Sequence, residues 1–183
     1  DKNYNGSWNG LTIISIAIGQ GEVTATPLQI ANLGATIANR GYFITPHVVK
    51  EIEDEALDSL YTTKRYTKVS EKHYETVVQG MRAAVTGGTC RAANLPGLDV
   101  CGKTGTAQNK GKDHSAFMGF APMNNPKIAV AVYVENGGWG ATYGVPIGAL
   151  IMEKYLNGTL SPQSEMKASD IQMRRIDYGV HER

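Results

Sequence analysis

Between Cys101 and Asn109 the chain reads Cys-Gly-Lys-Thr-Gly-Thr-Ala-Gln-Asn, residue types able to hold an anion against an open backbone. Gly102 and Gly105 carry no side chain to keep a ligand off the main chain. Thr104 and Thr106 lie two apart, so on a strand their hydroxyls share one face. Lys103 adds a permanent positive charge beside them. The pattern describes a carboxylate site next to an exposed strand edge that can hydrogen-bond.

Other residues compete for a chemical reading. Gly97 to Thr104 matches the Walker A pattern of nucleotide hydrolases letter for letter. A phosphate loop needs a strand before its first glycine and a helix starting at the Lys-Thr pair. Here Asn94-Leu95-Pro96 precedes it, and the residues from Gly105 to Gly111 have no helical period. Cys90 and Cys101 lie eleven apart across a Pro-Gly turn. They could close a short disulfide loop contributing roughly 3 kcal/mol, or remain two buried thiols. His47, His73, His114 and His181 are scattered without ligand spacing to either cysteine, so no metal site is expected.

The elements that must position these residues can be read from period and punctuation. Residues 11–18 are rich in β-branched side chains and end at Gly19-Gln20-Gly21, which predicts a strand entering a tight turn. Thr26-Pro27-Leu28-Gln29 has the form of a capping box with proline at the first helical position. The helix it opens is apolar nearly all round, which predicts burial on several sides, and Gly41 ends it. Short outer strands are expected within 42–69, and a second helix follows Ser70 with a stripe from Tyr74 to Val85. The period then changes to two, predicting strands over 98–108, 115–121 and 127–135, joined as an antiparallel meander. A third helix over 143–156 should face inward through Ile147, Leu150, Ile151 and Tyr155. Residues 159–183 are polar and aperiodic and read as a disordered tail behind one unit spanning 1–158. The fold class is α/β of the α+β type, an antiparallel sheet with helices packed on it.

Composition narrows the function classes. Hydrophobic residues make up 42% of the 183, enough for a sizeable core. Eighteen basic residues against 17 acidic ones, spread along the chain, give no patch suited to nucleic acid or an anionic membrane. The longest apolar run is too short to span a bilayer, and no signal peptide opens the chain. The start at Asp1 reads as the middle of a longer protein.

The order of motifs resembles the C-terminal half of the transpeptidase domain of class B penicillin-binding proteins, most closely the elongation-type penicillin-binding protein 2 group. The passages that carry it are Ile18-Gly19-Gln20-Gly21 with Thr24 to Gln29, Gly88-Thr89, Gly102 to Ala107, Phe117 to Pro122, and Glu135-Asn136-Gly137-Gly138. They span positions 18–138 in the family's order. The resemblance implies a penicillin-binding/β-lactamase-like fold and a peptidoglycan D,D-transpeptidase that works through a serine acyl-enzyme without a cofactor. Lys103 is then expected to order the hydrogen bonds and field of the site. The hydroxyls of Thr104 and Thr106 would bind the terminal carboxylate of a D-Ala-D-Ala stem peptide or a β-lactam, with Gly105 leaving the strand open to it. The Thr106 N–H would be one of two oxyanion-hole donors. Implied partners are stem peptides, β-lactam antibiotics and cell-wall elongation proteins including a membrane glycosyltransferase. The implied location is the periplasm, with an N-terminal inner-membrane anchor absent from this chain. A penicillin-sensing or scaffold module of the same fold is the non-enzymatic alternative.

Half of that site is missing. The family places a lysine one helical turn after its serine nucleophile. Here the lone Ser-x-x-Lys, Ser164 to Lys167, lies in the polar tail, behind the Lys-Thr-Gly motif rather than before it. Ser7-Trp8-Asn9 matches a Ser-x-Asn motif but stands only ten residues before Gly-Gln-Gly, where the family's lies well upstream. Both matches read as chance. The chain is expected to be inactive alone and to expose apolar surface.

Overall fold

The computed structural model describes residues 8–21 and 23–176. Its centre is a three-stranded antiparallel sheet of β3 (Cys101–Ala107), β4 (His114–Ala121) and β5 (Ile128–Val134), in sequence order. Thr104 lies opposite Phe117 and Thr106 opposite Ser115, so β3 is the outer strand that carries the Lys-Thr-Gly residues. The short β1 (Tyr42–Phe43) and β2 (Arg65–Tyr66) pair separately.

Two helical layers clamp the sheet. On one face, α2 (Pro27–Ala38) and α3 (Glu71–Thr86) enclose Ile37, Tyr74, Val78, Met81, Cys101 and Phe120. On the other, α4 (Gly144–Asn157) closes over Val100, Phe117 and Val130 through Val145, Ala149 and Met152. Helix α2 starts as its sequence dictates: Gln29 N–H donates to Thr26 Oγ1, and Thr26 N–H to Gln29 Oε1. Helix α4 stops at Gly158, which takes the left-handed conformation.

Several expectations need correction. Residues 10–17 form a helix, α1 (Gly10–Ala17), and not a strand. Asn9 Oδ1 accepts the N–H groups of Leu11 and Thr12, a cap strong enough to override the β-branched run. The same contacts account for Asn9 in the Ser-x-Asn match, while Ser7 lies outside the described residues. Leu11, Ile13, Ile14 and Ile18 all stand exposed, as do Leu28 and Leu33, so α2 is buried on one side rather than several. Helix α4 presents a different face from the expected one. Ile151 and Tyr155 are exposed, and Gly148 turns inward, where a Cβ would come within 2.4 Å of the Phe117 ring. Small residues win that face because they let the helix axis approach the sheet closely.

The supposed tail forms α5 (Pro162–Met173) before the last described residues, and residues 177–183 lie outside the description. Its start repeats the logic of α2, with Ser161 as cap and proline at the first position. It docks by polarity rather than an apolar stripe. Ser164 is buried, Ser161 N–H donates to Glu153 Oε1 at 3.1 Å, and Lys167 Nζ reaches Ala92 O at 3.5 Å. Burial pushes the Glu153 carboxyl up, and its Oε2 is buried without a hydrogen-bond partner, but the neighbouring Ser164 and Ser161 and the Lys167 charge outweigh it, so it sits below its ordinary 4.5. A carboxyl depressed by folding stabilises above its unfolded value and loses that contribution as pH falls through the folded one. Acidification below about 4.5 should therefore release α5 and lower stability, and Glu153→Gln should flatten that dependence. Thermal unfolding followed across pH checks both outcomes.

Candidate active-site strand

Strand β3 is fixed at its entry by Arg82, whose guanidinium donates to Val100 O at 3.0 Å and to Asp99 at 3.2 Å. Its Cys101 faces the α2 side, so by alternation Lys103 and Gly105 share that side, and Thr104 and Thr106 point to the α4 side. The two threonine hydroxyls do share a face as expected. The lysine stands on the opposite one, and its Nζ donates to Thr104 O at 2.9 Å.

The hydroxyls are held from both ends. Thr104 Oγ1 lies 2.9 Å from Thr89 Oγ1, which comes from the Gly-Thr passage after α3. Thr106 Oγ1 accepts the N–H of Gly140 at 3.3 Å. Gly140 belongs to no motif or periodic segment of the sequence. A Cβ there would sit 2.5 Å from Gly105 O and 2.6 Å from Ala116 O, so only glycine lets this loop lie on the strand. Ser115 secures the same loop, donating to Trp139 O and accepting from Gly144 N–H. The signal available was the glycine cluster itself.

The strand's outer edge faces away from β4. Thr106 O accepts from Gln20 Nε2 at 2.9 Å, and Gln108 N–H donates to Gln20 Oε1 at 3.4 Å. Because a strand residue's N–H and C=O point to the same side, the Thr106 N–H also opens on this edge. Gln20, expected only within a tight turn, thus touches the candidate site. A cleft of about 560 Å³ adjoins it, lined by Gln20, Thr24, Pro27, Thr106, Ala107 and Tyr133 among others.

Two readings fall away. Lys103 and Thr104 lie inside a strand and start no helix, which removes the phosphate loop. Cys90 and Cys101 are free thiols that sit in separate core clusters on opposite faces of the sheet, so they form no disulfide. Burial pushes Cys101 up to about 11 and raises Cys90 as well, which keeps both protonated and unreactive. Ser164 and Lys167 serve the docking of α5, and none of their hydrogen-bond partners lies on β3. Among the described residues no group of three His, Cys, Asp or Glu side chains could hold a metal ion, and no helix is long and apolar enough to cross a membrane.

Comparison with known proteins places this strand in context. The penicillin binding protein transpeptidase domain matches residues 2–156. A peptidoglycan D,D-transpeptidase MrdA of Haemophilus influenzae is 35% identical over 95% of the chain, which spans 30% of that relative's length. The crystal structure of penicillin-binding protein 2 of Pseudomonas aeruginosa, in complex with WCK 5153, shares 36% identity. It aligns with a TM-score of 0.70 over 88% of this chain and 37% of its own. The penicillin G acyl-enzyme complex of penicillin-binding protein A from Mycobacterium tuberculosis shares 33% identity. Its TM-score is 0.64 over 78% of this chain and 34% of its own. With more than four-fifths of its length inside the matched domain, the chain belongs to the penicillin-binding protein transpeptidase family, in the class B group of penicillin-binding protein 2 and MrdA.

Proposed function

We propose that this chain supplies the substrate-edge half of a peptidoglycan D,D-transpeptidase site, and that the nucleophilic serine comes from sequence outside these 183 residues. One observation carries the reading. The Lys-Thr-Gly strand is the outer strand of its sheet, and its Thr106 N–H opens on an edge where an extended peptide can add as a further strand.

The residues then divide the work of acyl transfer. The stem peptide lies along β3, with its terminal carboxylate received by the hydroxyls of Thr104 and Thr106. Thr89 and Gly140 hold those hydroxyls in place. The serine oxygen bonds to the penultimate D-Ala carbonyl carbon, and the carbonyl oxygen takes up negative charge. Thr106 N–H donates to that oxyanion, an interaction worth about 10²–10³ in rate in acyl-transfer enzymes. Lys103 adds positive field along the same strand. Collapse of the tetrahedral intermediate expels D-alanine with a proton, and the amine of a neighbouring stem peptide resolves the acyl-enzyme. A β-lactam enters the same first step and stops there.

The full-length protein acts in the periplasm, anchored by a helix in the inner membrane, beside elongation proteins that include a membrane glycosyltransferase. The 183-residue chain alone neither turns over substrate nor becomes acylated. Incubation of the full-length protein with penicillin G tests the reading. One serine should gain the mass of the antibiotic and lose it if heated hydroxylamine cleaves the ester. A protein that stays unlabelled at saturating antibiotic refutes it.

A further inference from the structure

The edge that would receive the peptide is already occupied. Gln20 lies 86 residues from Thr106 in sequence, yet its carboxamide donates to Thr106 O and accepts from Gln108 N–H. That two-point contact takes an acceptor and a donor of the edge that a neighbouring strand would use. The turn that delivers it is built for the purpose. Gly19 and Gly21 take φ of +80° and +88°, a conformation that side-chain-bearing residues rarely adopt. The Gln20 N–H is tied to Ser15 O at 2.9 Å, so the backbone is anchored to α1 while the side chain keeps its rotamers.

A peptide that pairs antiparallel with Thr106 uses two groups of that residue. It accepts from the N–H, and its own N–H donates to the carbonyl. The carbonyl is the one Gln20 holds. We propose that Gln20 is a displaceable plug, a side chain that seals the β3 edge in the empty site and must swing away before an amide-bearing ligand can pair with Thr106. This proposal rests on the transpeptidase reading and adds a specificity element to it: ligands that bring an amide N–H displace Gln20, and ligands without one do not. The simpler role, covering a strand edge against misplaced pairing, would make Gln20 indifferent to the ligand's hydrogen bonds.

The two roles separate by ratio. Penicillin G carries an acylamino N–H beside its lactam, whereas imipenem carries a hydroxyethyl group and no amide there. Second-order acylation rate constants for both would be measured on the full-length protein, on Gln20→Ala and on Gln20→Glu. The glutamate variant cannot donate to Thr106 O but can still accept from Gln108 N–H, and its added charge acts on both antibiotics. Removing one neutral hydrogen bond that must be broken should raise the penicillin G to imipenem ratio by about 3- to 10-fold in both variants. An unchanged or lowered ratio, whatever the absolute rates, overturns the plug. No acylation of the unsubstituted protein by either compound overturns the transpeptidase reading itself, and the plug with it.

Discussion

Replacing Thr106 with proline in the full-length protein should cut acylation by a β-lactam about 10²–10³-fold. Proline removes the backbone N–H and nothing from the β3–β4 ladder, because that N–H opens on the edge away from β4. Edge strands accept proline for the same reason. The substitution also deletes the hydroxyl that receives the Gly140 N–H, so Thr106→Ala serves as its control. Alanine keeps the backbone donor and loses only the hydroxyl, and its deficit should be smaller, about 10- to 100-fold, the size of one hydrogen bond to a carboxylate. Stopped-flow acylation reads both variants. Equal losses for proline and alanine would mean that the side chain, and not the N–H, is what the reaction uses.

The second large effect is on stability. Phe117 is among the largest fully buried side chains, and the side chain fills space left by four glycines. A Cβ on Gly102, Gly119, Gly144 or Gly148 would come within 3.0 Å of it. Phe117→Ala leaves a hole walled by strand and helix backbone, which relaxes poorly, so the loss should reach about 3–5 kcal/mol. For a domain of this size that corresponds to a fall in Tm of roughly 10 °C. Phe117→Leu keeps most of the volume and should lose well under half as much. Because Phe117 pairs with Thr104 in register, the alanine variant should also loosen the Thr89–Thr104 contact before global unfolding. Circular dichroism melts and amide exchange on β3 measure the two effects. A fall of less than 2 °C would show that Phe117 is not the keystone of the α4 face.

What the sequence disclosed divides along physical lines. Helix α2 was legible because its cap, its proline and its Gln29 are all local, and every one of those contacts forms. The meander was legible because three period-two runs stand a few residues apart, with Asn124-Asn125-Pro126 between the last two. Residues 10–17 form a helix that the sequence pattern hides, because a short, mostly apolar run rich in β-branched residues has no clear period to separate strand from helix, and the deciding group, the Asn9 side chain, precedes the run. The inward face of α4 was misread because bulk was taken as the mark of burial. Contact with Phe117 required glycine and alanine there. Helix α5 escaped notice because it docks through Glu153, Ser161 and Ser164, and hydrophobic pattern carries no trace of that. Within the candidate site, Lys103, Thr104 and Thr106 were visible as a motif. The contacts of Gln20 and Gly140 join segments far apart in the chain, which no local pattern encodes.

The central claim is that these 183 residues carry the strand of a serine transpeptidase site but not its nucleophile. Intact-mass analysis after incubation with penicillin G, run on this chain beside one extended upstream in the same gene, tests it most directly. An adduct is expected on the extended chain alone, on a serine before Asp1. An adduct on Ser164 or Ser7 of the 183-residue chain would contradict it.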